Sequence, residues 1–435
     1  MKLTWIVLLM QGIFSRILLV FGIFTVDTIE YLQAINIAFS MVICSMDILC
    51  MKNKMNLNLI IMLAFMLRLF LLFWDLNFSH VFTLIGSGMD TNTFRDAASS
   101  YYYGGSAGIG AMYSMTVAVL IYGLFGVQPI LAVYVNILLS ISTIIITKNI
   151  LTKLKVANGI TDVTIFIMAI MPFYAMINVL FLRETIIQFF IAASLYYFIL
   201  WFDNFKHSNL FFACAFSMIA ASYHSGAIAL LCAYAFTYIF YNRKSNMFIF
   251  SKTSIFAMFI CVILYIVIDM IFGEVILARF GNIDSFSDIT LDADLGLGSS
   301  AYYASWFPGS GPLAFIMNTP TRILYYMAAP VPWIWRGVSD VLSFVCGAVF
   351  YLYSLYLGIT TIKFSDDNEK RCLIVLLVIV FFSALIFGWG VSNSGTAIRH
   401  RDKFVSIHIV LLALGLNIKC KIKSKNSKQK GKCVL

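Results

Sequence analysis

Charged residues are scarce in this chain. They make up only 11% of its 435 residues, against 61% hydrophobic residues, and the mean hydropathy is +0.91. A soluble domain carries about a quarter charged residues. No soluble domain of ordinary size fits in the loops that the apolar segments leave. The composition therefore excludes a soluble globular protein and predicts an all-α polytopic integral membrane protein.

Cysteine and several well-known motifs are also lacking where they would matter. The nine cysteines lie mostly inside apolar segments and none lies in a predicted outer loop, so neither a disulfide framework nor a zinc cluster is predicted. The chain has no P-loop, HExxH, CxxC or nucleophile-elbow motif. ATP-driven transport, metalloprotease and redox functions therefore lose support, and we expect no cofactor.

Twelve apolar segments are candidates for membrane spans, which need about 20 residues each. Two of them, the seventh and the eighth, are short and need flanking residues to reach across. The segments are Trp5–Phe24, Tyr31–Met51, Leu57–Trp74, Ile130–Thr147, Val163–Phe181, Thr185–Trp201, Leu210–Tyr223, Ala227–Phe240, Met247–Phe272, Val341–Ile362, Cys372–Trp389 and Phe404–Ile418.

Lysine marks one side of the predicted membrane. Short loops rich in Lys and Arg stay in the cytoplasm, so the loops near Lys52, Lys148, Lys206 and Lys363 and the basic tail 419–435, with seven lysines, are predicted to be cytoplasmic. These loops and the tail explain the net charge of +10 without nucleic acid as a partner. Both termini are then cytoplasmic. Low Pro with abundant Ile, Lys and Asn fits an AT-rich bacterial genome, so we expect a bacterial plasma membrane.

Two further segments are apolar, Ala111–Phe125 and Ile323–Trp335. If either crossed the membrane, the lysine-rich loops that follow it would lie on the outer side instead of in the cytoplasm. We interpret both as re-entrant or interfacial pieces on the outer side, because they are short and Pro330 and Pro332 interrupt the second. The sequence thus predicts a single membrane domain over residues 1–418, with long outer loops at 75–110 and 273–321.

The predicted outer face carries arginine almost without lysine. A planar guanidinium group binds phosphate or carboxylate with two parallel hydrogen bonds, whereas Lys supplies a point charge. We therefore expect these side chains to meet in one pocket for a phosphate-bearing, lipid-linked substrate. The arginines are Arg95, Arg183, Arg279, Arg322, Arg336, Arg399 and Arg401.

Carboxylates and histidines on the same face are the candidate catalytic residues. Asp90 follows a glycine-rich stretch and could take the proton of an attacking sugar hydroxyl, although a solvated loop or a helix cap explains it equally well. Glu184 follows Arg183 in a very tight turn, and a surface ion pair is the alternative there. His224 lies in the apex of the next hairpin, where it could contact phosphate or form part of a polar turn.

The strongest constellation is Asn393-Ser394-Gly395-Thr396-Ala397-Ile398-Arg399-His400-Arg401-Asp402-Lys403, just before the last span. Three cations and one histidine in five residues of an outer loop run against the positive-inside rule. Binding the diphosphate of a polyprenyl carrier would explain them, with Arg399 and Arg401 as its ligands and His400 as a catalytic candidate. A juxtamembrane anchor to lipid headgroups is the alternative.

These features resemble the bacterial polysaccharide repeat-unit polymerases, the Wzy-type O-antigen and capsule polymerases. The likeness rests on Leu182-Arg183-Glu184 after a Pro-bent helix, on Arg322-Ile323-Leu324-Tyr325 with Pro330-Val331-Pro332-Trp333, and on Gly395 with Arg399-His400-Arg401. The first outer loop is similar to that of the wider GT-C class of glycosyltransferases.

The resemblance implies a GT-C-like fold and a substrate. The growing glycan on a polyprenyl diphosphate would be the donor, and a lipid-linked repeat unit the acceptor. Asp90 would be the base, with Asp96 the nearest match to a second acidic residue. Arg95, Arg183, His224, Arg322, Arg399 and Arg401 would bind the substrate. Expected partners are the lipid bilayer, a chain-length regulator protein and a flippase.

Two other functions fit the same residues. One is a GT-C transferase that adds a single sugar from a polyprenyl monophosphate. The other is a non-enzymatic flippase of lipid-linked oligosaccharide, for which we would expect cationic residues at the middle of several spans and no long acidic outer loop.

Overall fold

The structure is a computed structural model that describes residues 1–23, 26–108, 111–242, 245, 247–260, 307, 311–391 and 393–432. Most of these residues are helical. The helices are α1 (Lys2–Val20), α2 (Val26–Leu49), α3 (Met55–Asn77), α4 (Met89–Tyr102), α5 (Ala111–Phe125), α6 (Pro129–Lys153), α7 (Asn158–Ile170), α8 (Pro172–Ile177), α9 (Glu184–Asn204), α10 (His207–Tyr223), α11 (Ser225–Phe240), α12 (252–260), α13 (Pro312–Ala328), α14 (Val338–Phe364), α15 (Asp367–Trp389), α16 (Ser394–Asp402) and α17 (Val405–Lys432).

Eight helices among the described residues are long and apolar enough to cross a membrane: α1, α2, α3, α6, α9, α14, α15 and α17. They differ in how much protein surrounds them. Only 22% of the apolar window of α1 is buried, against 72% for α17. A helix that is apolar on every side and still largely uncovered needs lipid around it. The chain is therefore a helical, multi-pass membrane protein.

Several predicted spans differ from the helices observed. Val163–Phe181 is not one helix: α7 ends at Ile170, and Pro172, which has no N–H to donate, begins the short α8. Helices α10 and α11 have 17 and 16 residues, as short as predicted. The predicted span Met247–Phe272 begins with a strand residue, and its part from residue 261 onward lies outside the described residues.

The two predicted outer loops contain helix as well. Helix α4 occupies the centre of loop 75–110. In loop 273–321, Gly311 and Pro312 begin α13, and Pro312 stands at a first-turn position where its missing N–H costs nothing. Ile323–Trp335 is therefore not a separate segment. Its first part belongs to α13, which ends before Pro330 because the residue preceding proline is disfavoured in helix.

The described residues form two compact units. Unit 1 comprises Met1–Lys148 and Ile165–Phe189, and unit 2 comprises Asn149–Thr164 and Phe190–Leu435.

Unit 1 is held together by buried hydrogen bonds between its apolar helices. The Gln33 side chain donates to the carbonyl oxygen of Phe125 at 2.8 Å, and the Tyr134 hydroxyl donates to Ser40 Oγ at 3.0 Å. Helix α1 is fixed at its start, where the amino group of Met1 lies 2.7 Å from the Asp47 carboxylate. A buried polar group that is paired in this way also fixes the register of the helices.

Unit 2 is built on α15 and α17. Asp366 and Glu369 form a capping box at the start of α15, and 23 residues carry that helix to Trp389, a distance of about 35 Å. Helix α17 packs closely on α14, where Gly415 lies against Leu357 and Gly358 against Leu411. The predicted basic tail continues α17 as helix as far as Lys432.

The described part of the chain also contains one pair of two-residue strands in unit 2. β1 (Tyr241–Asn242) and β2 (Met247–Phe248) are antiparallel, with Tyr241 opposite Phe248. They connect α11 to the segment before α12.

Candidate functional site

Unit 1 brings the Asp90 helix next to Arg183. The guanidinium carbon of Arg183 lies 5.5 Å from the ring centre of Phe94, one helical turn after Asp90 on α4. A β-carbon placed on Gly86 would lie 3.4 Å from Leu180, so the glycine-rich stretch also runs against the segment before Arg183. The predicted neighbours Asp90 and Arg183 are thus carried by elements in direct contact.

Asp90 lies in the first turn of α4 and is exposed. Neither Asp90 nor Asn92 caps this helix. Gly88 is the N-cap residue, and the Thr91 hydroxyl accepts a hydrogen bond from its backbone N–H. A carboxylate in the first turn is stabilised by the positive end of the helix dipole. Arg95 and Asp96, further along α4, form an exposed ion pair at 3.4 Å.

Glu184 is fully buried at the start of α9, beside the half-buried Arg183. The turn before it is built by two buried asparagines. Asn136 donates to the carbonyl oxygens of Leu180 and Leu182, and Asn178 accepts a hydrogen bond from Thr185 at 2.9 Å. The Arg183–Glu184 pair is therefore not a surface ion pair, because the carboxylate has no solvent access.

Arg68, on α3, is a charged side chain that is fully buried inside unit 1. Its Nε donates to Ser140 Oγ at 2.6 Å, its Nη1 donates to the carbonyl oxygens of Ala64 and Ala169, and its guanidinium group lies over Tyr174. Arg68 therefore joins helices within unit 1.

Unit 2 places the basic motif on a short helix, α16. The side chain of Asn393 caps it by accepting a hydrogen bond from the N–H of Thr396 at 2.9 Å. The three basic residues Arg399, His400 and Arg401 lie in its last turn, where they interact favourably with the helix dipole. The sequence thus indicates both ends of α16.

His224, Arg322, His400, Arg401 and Lys403 form what we call the cationic cluster. All five side chains are buried, with at most 8% exposed. They come from four places in the sequence of unit 2: the start of α11, α13, α16 and the residue after α16.

The two histidines of the cluster contact each other edge to face, and both pack on Phe387. Their ring centres are 4.5 Å apart, and each lies about 5 Å from the Phe387 ring. The Nδ1 atom of His224 accepts a hydrogen bond from the N–H of Gly226, and Nδ1 of His400 lies 2.7 Å from Lys403 Nζ. A backbone N–H and an ammonium group can each only donate. Nδ1 is therefore the acceptor in both rings, and Nε2 carries the proton.

Arg401 has a structural task that its sequence context does not indicate. Its Nη1 donates to the carbonyl oxygens of Met327 at 2.7 Å and Ala329 at 3.1 Å, at the end of α13. Its guanidinium carbon lies 4.8 Å from the ring centre of Tyr351. Because Arg401 is only 1% exposed, it is not an anchor to lipid headgroups. Arg399, by contrast, is half-buried.

Asp402 is buried beneath the cluster and accepts a hydrogen bond from the Tyr351 hydroxyl at 2.5 Å. Burial raises the pKa of Asp402 to about 6, while the hydrogen bond from Tyr351 and the charge of Arg401 act in the opposite direction. One turn into α17, His408 Nδ1 lies 2.7 Å from Ser354 Oγ on α14. These contacts fix α14, α16 and α17 to one another.

Arg322 lies on α13 one turn before Tyr326. Its guanidinium carbon is 5.5 Å from the ring centre of Trp389, whose indole N–H donates to Thr319 at 3.0 Å. Arg336, by contrast, is exposed and is held by Asp340. The two arginines around the proline-containing segment therefore differ, and only Arg322 belongs to the buried cluster.

The predicted site residues are thus divided between the units. Asp90, Arg95, Arg183 and Glu184 lie in unit 1, and the remaining five lie in unit 2. Lys403 is one of the three cations of the sequence motif, although no role was predicted for it. Tyr351 and His408 were not predicted, since a Tyr and a His inside apolar helices are ordinary residues. Among the described residues, no group of three or more His, Cys, Asp or Glu side chains could hold a metal ion.

The sequence matches no protein-family profile and no characterised protein, and the fold matches no solved structure.

Proposed function

We propose that this chain is a glycosyltransferase that joins polyprenyl-diphosphate-linked oligosaccharide units into a surface polysaccharide. It would be a GT-C-like enzyme with about twelve spans and two outer broken segments in a bacterial plasma membrane, with both termini in the cytoplasm. The observation that carries this proposal is the cationic cluster. It lies at the end of α15 opposite the lysine-rich end, which is the outer end if positive charge marks the cytoplasm.

The cluster suits a leaving diphosphate. As the bond between the donor sugar and the diphosphate breaks, negative charge grows on the diphosphate oxygens, and preorganised cations in a site with little water stabilise that charge. Arg322 and the half-buried Arg399 would bind it. His400, with Nδ1 accepting from Lys403, would direct its Nε2–H as a donor. Arg401 and Lys403 would hold these groups in position.

The bond that forms joins an acceptor hydroxyl oxygen to the anomeric carbon of the donor sugar. The hydroxyl loses its proton to a carboxylate, and we assign this role to Asp90, which is exposed at the start of α4. Arg183 and Glu184 would support that end of unit 1. Glu184 is buried, so it suits a positioning role better than direct proton transfer.

Glycan length tests the proposal. In cells that lack this gene, we expect lipid-linked single repeat units to accumulate. Restored wild-type protein should return a ladder of long polymer, whereas Arg399→Ala and Asp90→Asn should leave membrane-inserted protein and single units. Loss of one charged hydrogen bond costs roughly 1.5–3 kcal/mol, or about 10- to 100-fold in rate.

Asp203→Asn is the matched control, because Asp203 is exposed at the lysine-rich end and pairs with Lys153 at 2.8 Å. It should make full-length polymer. Polymer of normal length from both site variants would refute the assignment of the site. A deletion strain that keeps its ladder but lacks one sugar branch would favour the single-sugar transferase instead.

A flippase is supported by one observation. Arg68 and Arg322 are buried in apolar helices, and a flippase needs cations within its spans to carry a phosphate through the membrane. The two functions differ in where the substrate accumulates. Single units in the outer leaflet of the deletion strain support the polymerase, and units confined to the inner leaflet support the flippase.

A further inference from the structure

A second charged site lies in unit 2, at the lysine-rich end of α15. It is a cavity of about 270 Å³ between the loop after α6 and the ends of α9, α15 and α17. Four cationic and three anionic side chains line it: Lys153, Lys155, Arg371 and Lys421, with Asp203, Asp366 and Glu369. The positive-inside rule places this end in the cytoplasm, so the cavity is not part of the proposed catalytic site.

The three carboxylates of the cavity are already paired. Asp203 binds Lys153 at 2.8 Å, and Lys421 lies 2.6 Å from Glu369 and 3.7 Å from Asp366. These pairs involve two of the four cations, Lys153 and Lys421, and all three carboxylates. Four cations against three carboxylates leave the lining a net charge of +1, and the other two cations take no part in these pairs.

Lys155 and Arg371 are those two residues. Among the residues that the structure describes, neither has a carboxylate within ion-pair distance. Arg371 donates to the side-chain oxygen of Asn368, and its guanidinium carbon lies 5.8 Å from the ring centre of Phe202. Its Nε is buried and has no hydrogen-bond partner in the described part of the chain. A guanidinium group with an unused donor and an ammonium group without an ion pair, lining one cavity, are suited to a phosphate.

One asparagine bonds the segment after α6 to Glu369 of the cavity lining. Asn417 on α17 accepts a hydrogen bond from the backbone N–H of Ala157 at 3.2 Å and donates to Glu369 at 3.4 Å. The backbone of Lys155 is left-handed (φ 54°) and closes the turn after α6. The lysine thus projects from a turn that is bonded to α17, and the binding groups need little ordering when a ligand arrives.

We propose that this cavity binds a phosphate-bearing anion through Lys155 and Arg371. The ligand is either the headgroup of an anionic phospholipid of the inner leaflet or a soluble phosphate. Basic pockets among helices on the cytoplasmic side of membrane proteins hold such headgroups. This site does not depend on the proposed glycosyltransferase function.

Native mass spectrometry of the full-length protein in detergent tests the proposal. The probes are phosphatidylglycerol, the zwitterionic phosphatidylcholine and inorganic phosphate. We expect phosphatidylglycerol to bind about tenfold or more tightly than phosphatidylcholine. Lys155→Gln and Arg371→Gln should each weaken that binding by about tenfold, the loss of one charged hydrogen bond.

Lys363→Gln is the matched control, because Lys363 is an exposed lysine at the same predicted side, lies over Phe364 and does not line the cavity. It should bind phosphatidylglycerol like the wild type. Lys155 is exposed, so its variant keeps the test valid if Arg371→Gln fails to fold.

The remaining outcomes are distinct. If inorganic phosphate displaces the lipid, or binds in its place and depends on the same two residues, the ligand is soluble and the site stands. If both variants bind phosphatidylglycerol and phosphate as the wild type does, or if Lys363→Gln loses binding equally, the proposal is wrong. Neither result depends on polymer length, so failure here leaves the glycosyltransferase proposal untouched.

Discussion

The arginines of this protein show that one residue type serves several tasks. Arg401 donates to backbone carbonyl oxygens at the end of α13, Arg68 joins three elements of unit 1, and Arg336 forms an exposed ion pair. Arg401 and Arg336 are both predicted from sequence to be cations on the outer side, yet only Arg336 is exposed. Only burial and hydrogen-bond partners separate a structural guanidinium group from one that can bind substrate.

The carboxylate of Asp402 makes stability depend on pH. Its pKa in the folded protein is raised from 3.8 to about 6, since burial disfavours the ionised form. Between about pH 4 and 6 the folded state keeps a proton that the unfolded chain has lost, so stability falls as pH rises through this window. The full effect is roughly 3 kcal/mol.

Asp402→Asn should remove this dependence. Thermal unfolding of the purified protein, followed at several values from about pH 4.5 to 7, should show a smaller fall for the variant than for the wild type. Asp96→Asn, at a side chain that is 72% exposed, should retain the wild-type slope. Equal slopes in all three proteins would mean that Asp402 ionises normally in the folded state.

At the scale of elements, the contact between α14 and α17 depends on small residues. A β-carbon on Gly415 would lie 2.8 Å from Cβ of Leu357 and 3.3 Å from its backbone carbonyl carbon. Backbone atoms cannot move aside cheaply, so the two helices would have to separate. Close approach of this kind is typical of helix packing in membranes.

Gly415→Val should therefore destabilise the protein by roughly 1–3 kcal/mol, the cost of overpacking. A lower midpoint of thermal aggregation in detergent would show it. Gly159→Ala near the start of α7 is the control, because nothing lies within 4 Å of the added carbon and alanine favours helix. An unchanged midpoint for Gly415→Val would mean that α14 and α17 do not pack as described.

Helix ends were more predictable than helix continuity. Pro330 and Pro332 mark the end of α13. The short apolar runs Leu210–Tyr223 and Ala227–Phe240 indicate that α10 and α11 are short helices. The break at Pro172 divides a predicted span, because hydropathy alone cannot tell a bent helix from two helices. Helix α4 was missed as an element because its residues are polar and look like a loop.

At the scale of the whole molecule, composition predicts a membrane protein. It does not predict which side chains meet in the cationic cluster. His224, Arg322 and His400 are far apart in sequence, and no periodicity relates them. In the sequence, they share only that they are basic residues on the predicted outer side of the membrane. The contacts that orient them, such as Lys403 with His400, require the packing of α11, α13 and α15 around Phe387.

The two ends of α15 give a direct test of orientation. In a cysteine-free background, Gly395→Cys and Lys370→Cys both place an exposed thiol, the first near the cationic cluster and the second at the lysine-rich end. A maleimide that cannot cross membranes should label Gly395→Cys in intact spheroplasts and label Lys370→Cys only after lysis. The reverse pattern would place the cluster in the cytoplasm and end the glycosyltransferase proposal.

The position of α17 in the chain has a consequence for biogenesis. The ribosome makes this helix after the groups that its polar side chains bond, and it carries His408 and Asn417, which are costly in contact with lipid. Their hydrogen-bond partners, Ser354, Ala157 and Glu369, are all synthesised earlier. The groups that satisfy these two side chains are therefore already present when α17 enters the membrane.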